Sequence, residues 1–465
     1  MQAVQLAELL AETPPGVGEA LEAVAGFDAA LADGLARLGP RHTESLNALG
    51  AAVGASPLGA AVAEAAAKLA AGSIGVTELT AVAGARAALL GAVHDALLAR
   101  ADAALGRSRA AWEQDPGDAA EPVPANVLSG GRSWLQELAI AGWRGVDDPL
   151  VSAVDQALEA LWAEPRLRRL AVLLDGLAGE LRASCPVGAM GAIPERRWAD
   201  LWSRALLLAH AGSWTGGPVG TVTGRLLPLG VDVHEHGTTV QVQLHAVLEP
   251  ADEGPVRLVR TAVAAAKVDT IVGPAVWRLL TAYPTLLTAL AERRSVEVDG
   301  MSLTAGGDLL WDEERAEAGA PADPFATARV RLPAAEAAPV APLDRHPVRI
   351  AEPVLVEGYK AERDGTFDLG GEILPVDLDR LPTGGPLTPQ LVTASTVCIG
   401  LLRWDGGRWA LQPLAVQSIV KKQPVEAHNG DWAQGPTDPK VVRSLARSGD
   451  PVAVLTERAG RLLRK

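Results

Sequence analysis

Between Leu226 and His245 the chain reads Leu-Leu-Pro-Leu-Gly-Val-Asp-Val-His-Glu-His-Gly-Thr-Thr-Val-Gln-Val-Gln-Leu-His, and no other stretch constrains the fold as much. Residues two apart on a strand share a face, so His234 and His236 on one strand would converge on a metal ion. Folded back through a His236-Gly237 turn, the same letters pair Val233 with Val240, Val231 with Val242 and Leu229 with Leu244. Asp232 then meets Gln241 on the opposite face. Apolar faces apolar and polar faces polar, as a half-buried antiparallel pair requires. Gly237 supplies the positive φ of the turn. The hairpin is the expected outcome, and it places His236 in the turn, off the face that carries His234.

Around this hairpin the periodicity changes. Leu21, Val24, Leu31, Leu35 and Leu38 share one helix face between the Thr13-Pro14-Pro15-Gly16 break and Gly39-Pro40. Leu79, Val82, Leu89, Val93 and Leu97 form a second stripe after Thr77, the expected N-cap. Further helices are expected over Trp134–Trp143, Pro149–Trp162, Leu167–Leu181 and Glu195–His210, with a surface loop or linker at Asp115–Pro124. From Gly216-Gly217-Pro218 onward alternation of period two takes over. Strands are expected at Arg225–Val233, Thr239–Glu249 and Pro255–Val263, then a helix over Pro274–Arg293 that Pro284 kinks or divides. Short strands follow at Ser295–Val298 and Leu309–Trp311. Glu313–Pro347, rich in Ala, Pro and charge, reads as a loosely packed linker.

Beyond it, strands are expected at Val348–Ile350, Val354–Val356, Ile373–Val376, Val397–Arg403 and Trp409–Leu414, with Asp405-Gly406-Gly407 turning the last pair. The tail from Lys440 to Lys465 carries one or two helices. Asp299-Gly300 with Gly306-Gly307-Asp308-Leu309-Leu310 is echoed by Asp364-Gly365 with Gly370-Gly371-Glu372-Ile373-Leu374, which turn chemistry alone can produce. The expected fold class is α+β, a helical N-terminal half followed by antiparallel β-rich segments with a few helices. The expected division is a helical domain over 1–212 with a candidate break near 115–124, a β meander plus helix over 213–312, the linker-like 313–347, and a β-rich domain with terminal helices over 348–465.

Composition narrows the classes of partner. The chain has 465 residues with a formal net charge of −14, which opposes close approach to phosphate backbones, so nucleic acid is not an expected partner. Only two cysteines occur, Cys185 and Cys398, too few for a disulfide framework or a Cys-based zinc site. Met1–Thr13 carries Glu8 and Glu12 and no basic region, unlike a secretory signal. The uncharged run Ser45–Ala63 is too weakly apolar for a membrane span. The expectation is a cytoplasmic protein that does not engage membranes. Twelve Trp against three Phe and two Tyr, with Arg favoured over Lys, points to a high-GC bacterium.

Gly-Val-Asp-Val-His-Glu-His-Gly resembles the first-strand signature of the amidohydrolase superfamily, which would make His234 and His236 ligands of a catalytic metal. A parallel barrel strand would then need a loop and helix, whereas strand alternation follows at once. His245, His346 and His428 remain as later ligands and Lys267 as a bridging residue, none in a strand-end context. A cupin reading lacks its Glu after the His pair. Ser129-Gly130-Gly131 and Ser213-Trp214-Thr215-Gly216-Gly217 match neither a nucleophile elbow nor a phosphate loop and are expected to be turns. His42, His94 and His210 lie in helices as solvated or hydrogen-bonded groups. His428-Asn429-Gly430-Asp431-Trp432 is expected to be an exposed turn anchored by its Trp, with Lys421-Lys422 a small basic spot. No catalytic, cofactor-binding or metal-binding residue is assigned, and no cofactor is expected.

Trp198-Ala-Asp-Leu-Trp202, Gly224-Arg-Leu-Leu-Pro-Leu-Gly230 and Leu402-Arg-Trp-Asp-Gly-Gly-Arg-Trp-Ala-Leu-Gln-Pro-Leu-Ala415, in this order, are similar to accessory proteins of actinobacteria encoded beside SWIM zinc-finger, MoxR-type AAA+ ATPase and von Willebrand factor A proteins. The chain has no SWIM cysteines, Walker A loop or Asp-x-Ser-x-Ser motif. The resemblance therefore implies a non-enzymatic interaction or scaffold protein, an accessory of an ATPase-containing assembly with other proteins as partners. A metal-dependent hydrolase using His234 and His236 stays open as the alternative.

Overall fold

The computed structural model describes residues 3–112, 125–211, 218–420, 422–448, 452, 453 and 457. The expected loop at Asp115–Pro124 and the Ser213–Gly217 stretch lie outside these, as does most of the tail beyond Ser448. Ten helices fill the described part of the first half: α1 (Ala3–Ala11), α2 (Val17–Asp33), α3 (Pro40–Ala52), α4 (Gly59–Ala70), α5 (Val76–Leu105), α6 (Ala125–Ala141), α7 (Asp148–Ser152), α8 (Asp155–Trp162), α9 (Arg168–Ser184) and α10 (Glu195–Ala211). The first stripe ends earlier than its apolar spacing suggests, because Gly34 takes φ 91° and Leu35 begins a 3-10 turn. A Cβ at Gly34 would stand 2.8 Å from the Ile140 carbonyl oxygen, so the α6 end crosses here only over glycine. Gly130 and Gly131 are helical rather than a turn. They sit within α6 and let Ala157 of α8 and Leu174 of α9 approach closely.

Helix α5 is capped at Gly75, two residues before the expected Thr77, and runs for 30 residues. It is the one helix among the described residues long and apolar enough to cross a bilayer by length and composition, and half of its apolar window is buried inside the protein. Its first half, with Leu79, Val82 and Leu90, belongs to the helical core, while Val93, Leu97 and Ala101 enter the core under the second sheet. The helical core also buries Trp134, Trp143, Trp198 and Trp202. Trp143 meets Trp198 edge-on at 5.9 Å, and Trp202 donates its indole N–H to the Leu135 carbonyl at 2.8 Å.

The second half is antiparallel β, so the chain is α+β. Strands β1 (Pro218–Glu235), β2 (Thr239–Pro250) and β3 (Arg257–Ala266) form a meander. Pro284 divides the next helical stretch, opening α11 (Pro284–Ala291) after a 3-10 turn over Gly273–Leu280. Then come β4 (Arg294–Thr304), β5 (Asp308–Leu310) and β6 (Ala316–Pro321). The order is β1-β2-β3-β5-β4-β6, and β1 also pairs with β4, so five strands close into a ring. β3 and β5 are the parallel pair, and the helical stretch lies between β3 and β4. This is the connectivity of the partly open Greek-key barrel known as the OB-fold. Its interior holds Leu226, Val231, Val242, Leu244, Val263 and Val296, plugged by Trp277, Leu280 and Leu286.

The expected linker is instead built into the core. It contains α12 (Pro324–Val330), and Phe325, Ala328, Leu332, Ala335 and Ala337 are buried between the barrel and a second sheet. Small Ala side chains read as linker composition, yet they suit the narrow space between two sheets. The expected strand at Val348–Ile350 is a 3-10 turn followed by β7 (Ala351–Glu357). After β8 (Lys360–Ala361), β9 (Thr366–Asp368), β10 (Ile373–Pro375) and α13 (Pro389–Thr393) come β11 (Ser395–Asp405), β12 (Arg408–Val420) and β13 (Gln423–His428), in the sheet order β13-β12-β11-β7. The Gly-Gly echo marks two hairpin turns, β4–β5 and β9–β10. Helix α14 (Pro439–Ser448) ends the described elements.

The hairpin forms, with a register two residues from the expected one. Val233 pairs with Val242, Val231 with Leu244 and Asp232 with Gln243, and the turn centres on Gly237-Thr238. A shift of two preserves which face each side chain takes, so hydrophobic pattern alone does not separate the two registers. The His236 N–H donates to the Thr239 carbonyl at 2.8 Å, one residue outside the turn centre.

Candidate functional site

The outer face of the barrel hairpin packs on the inner face of the second sheet, and where they meet sits Asp232. Its side chain is almost wholly buried. One carboxylate oxygen accepts from the Arg403 guanidinium at 2.8 Å and the other from the Gln412 amide at 2.7 Å. The half-exposed His234 ring lies 2.9 Å from the same carboxylate through Nε2. Arg403 on β11 and Gln412 on β12 also bond to each other. Burial alone would raise the Asp232 pKa, but His234, Arg403 and Gln412 outweigh it and hold the carboxyl at about 2. The result is a fixed anion with its partners saturated and one imidazole at the solvent edge.

His236, expected within the turn, is instead the exposed residue just before it, one position beyond the end of β1, where its N–H closes the hairpin on Thr239. The later histidines stay apart. His245 is buried on β2, where it pairs with Gly230, and burial followed by the Arg260 charge lowers its pKa to about 4. His346 is buried 3.6 Å from Asp200 of α10, with its pKa at about 4, lowered chiefly by burial. His428 ends β13 against Phe325 at 5.3 Å, and burial with Arg293 nearby lowers it to about 3. Lys267 turns its ammonium to the Ile271 carbonyl at 3.1 Å. Among the described residues no group of three His, Cys, Asp or Glu side chains is placed to hold a metal ion. His42 stands 3.4 Å from Asp33 and His94 2.9 Å from Asp95. Cys398 is buried on β11 with its thiol pushed up by burial, and Cys185 is partly exposed.

The His428–Trp432 segment is not an exposed turn. Asn429 is fully buried, and its amide donates to the carbonyls of Val231 on β1 and Pro413 on β12, both at 3.2 Å. Asp431 accepts from Nε and Nη2 of Arg293, whose Nη1 donates to Glu426 at 2.8 Å. Polar letters suggested solvent, but these groups satisfy backbone at a junction of two sheets. Lys422 adopts φ 66° in the β12–β13 turn, and Lys421 lies outside the described residues.

A second ionic junction went unseen in the sequence. Glu352 on β7 accepts from Arg107 at 2.7 Å and Arg109 at 3.0 Å, and Arg109 also binds Asp102 at the end of α5. Burial opposes the Glu352 charge, but the two guanidiniums hold its pKa below the usual value. In the helical region Arg86 and Asp28 form a bidentate buried pair at 2.7 and 3.0 Å. Such pairs leave no local trace: Arg403 is 171 positions from Asp232, and Arg107 is 245 from Glu352. The one available signal was a charged residue set between Val231 and Val233.

Two surface concavities lie elsewhere. One of about 290 Å³ is bounded by Glu22, Arg41 and His42. Another of about 660 Å³ lies between Trp277, Leu287 and Leu445. The chain matches no family model, no curated protein and no solved structure.

Proposed function

We propose that this chain is a non-enzymatic interaction protein, a scaffold that acts as an accessory component of an ATPase-containing assembly in the bacterial cytoplasm. The observation that carries the reading is the saturation of Asp232. The group best suited to chemistry in the His234 region already has three partners, and two of them, Arg403 and Gln412, tie the second sheet to the barrel. Glu352 and Asp431 are used in the same way, each joining neighbouring layers. Buried ionic junctions of this kind favour a unique arrangement of parts more than they favour turnover. A body of fixed layers with an acidic surface is suited to presenting binding faces. The OB-type connectivity does not by itself assign a ligand, since one fold hosts many functions.

The test is reconstitution with a MoxR-type AAA+ ATPase of the kind encoded beside the proteins this chain resembles. The expected result is a stoichiometric complex on gel filtration and a changed ATPase rate. Metal analysis of the purified chain addresses the competing hydrolase reading. Stoichiometric zinc that is lost in the His234→Ala, His236→Ala double variant, together with hydrolytic turnover lost in the same variant, would replace the scaffold reading.

A further inference from the structure

Strand β3 is fully paired on one side and only partly on the other. Towards β2 the ladder runs from Arg257 opposite Leu248 to Ala266 opposite Thr239. On the other edge Leu258 donates to Glu336, Arg260 donates to Gly307, and β5 pairs only with Arg260 and Thr261. Backbone groups alternate in direction along a strand, so Ala264 and Ala266 point to the same edge as Leu258 and Arg260. Among the described residues nothing pairs with them there. Ala262, Ala264 and Ala266 are exposed, and since buried unpaired N–H groups are rare, these face water. Apolar side chains flank the gap: Leu310 at the end of β5, and Val268 and Val272 just beyond β3, are each close to half exposed or more.

Exposed edges are normally protected by Lys, Pro or inward charges. The segment Thr261-Ala-Val-Ala-Ala-Ala266 has none of these. Arg260 before it is ion-paired with Asp308, and Lys267 after it is bent back to Ile271. We propose that this edge pairs antiparallel with the same edge of a second copy of the chain. Unpaired backbone selects an extended backbone as its occupant, and a twofold contact brings a segment against itself. Because Leu310 already fills the lane beside Ala262, the axis falls at Ala265, and Ala264 of each copy meets Ala266 of the other. Arg260 then lies opposite the end of the partner strand beyond Lys267, so no two unpaired cations face each other. Val268 of one copy comes against the partner's Leu310. This inference does not depend on the scaffold reading.

The contact is short, so the dimer is weak, with a dissociation constant on the order of tens of micromolar. Sedimentation velocity of the full chain from about 1 to about 200 μM spans that value. The mass is expected to move from 48.1 kDa towards twice that as concentration rises. Ala264→Pro removes an N–H that β2 does not use, and Ala266→Lys adds like charges across the axis. Both are expected to stay monomeric throughout, with wild-type circular dichroism and melting. Should Ala264→Pro fail to fold, Ala266→Lys at its exposed position carries the comparison. A wild-type chain that stays monomeric at the highest concentration overturns the proposal, as does a folded Ala266→Lys variant that dimerises as the wild type does.

Discussion

At the scale of single residues, the buried charges set the expected response to mutation and to acid. Asp232→Ala strands the Arg403 guanidinium in the seam, and losing one partner of a buried pair costs about 3–5 kcal/mol. The double variant Asp232→Ala, Arg403→Ala is expected to cost clearly less than the sum of the singles in urea unfolding; strict additivity would mean that the pair is not coupled. The Asp232 pKa is depressed from 3.8 to about 2, so its contribution is complete above pH 4 and disappears as pH falls through 2. Buried histidines act earlier in an acid titration. His245 and His346 at about 4 and His428 at about 3 are also depressed, so their stabilisation is present above their unfolded value of 6.5 and declines as pH falls below it. The urea midpoint is expected to be lower at pH 5 than at pH 7.5, with much of the difference removed in a folded His245→Gln, His346→Gln variant. Equal midpoints at the two pH values would contradict the burial of neutral rings.

At the scale of elements, β1 organises the second half. Its 18 residues pair with β4 at one end and β2 along most of their length, with irregular register between Val222 and Gly224 and between Pro228 and Gly230. Such bulges let one strand bend enough to close a small barrel. Gly230 marks a close approach of the two sheets, since a Cβ there would stand 2.7 Å from Leu414 Cβ. Gly230→Val is therefore expected to cost about 1–3 kcal/mol through overpacking. Thermal unfolding would show it, and a companion Leu414→Ala change should return part of the loss. Alternation of period two made these strands legible, as did Pro284 for the helical break. The exact register was not legible, because shifts of two leave every face unchanged. The 313–347 segment was misread for a related reason: its alanines become core only when two sheets close over them.

At the scale of the whole molecule, the layers are held by contacts between distant parts of the chain. Glu352 reaches Arg107 and Arg109 just after α5, and α5 itself enters two cores. Glu352→Ala leaves two cations facing a buried gap and is expected to cost about 3–5 kcal/mol. Differential scanning calorimetry should then show the helical half and the β half melting as separate transitions; a single sharp transition would mean that other contacts couple them. Local pattern was enough to determine the α+β class and the hairpin, because periodicity and turn chemistry act over a few residues, whereas the turn settled one residue later than expected and left His236 just before it. The tertiary structure alone decided that Asp232, Glu352 and Asn429 lie at junctions and that five strands close into a ring. Those outcomes depend on groups more than a hundred residues apart, whose attraction is felt only once folding has removed water from between them.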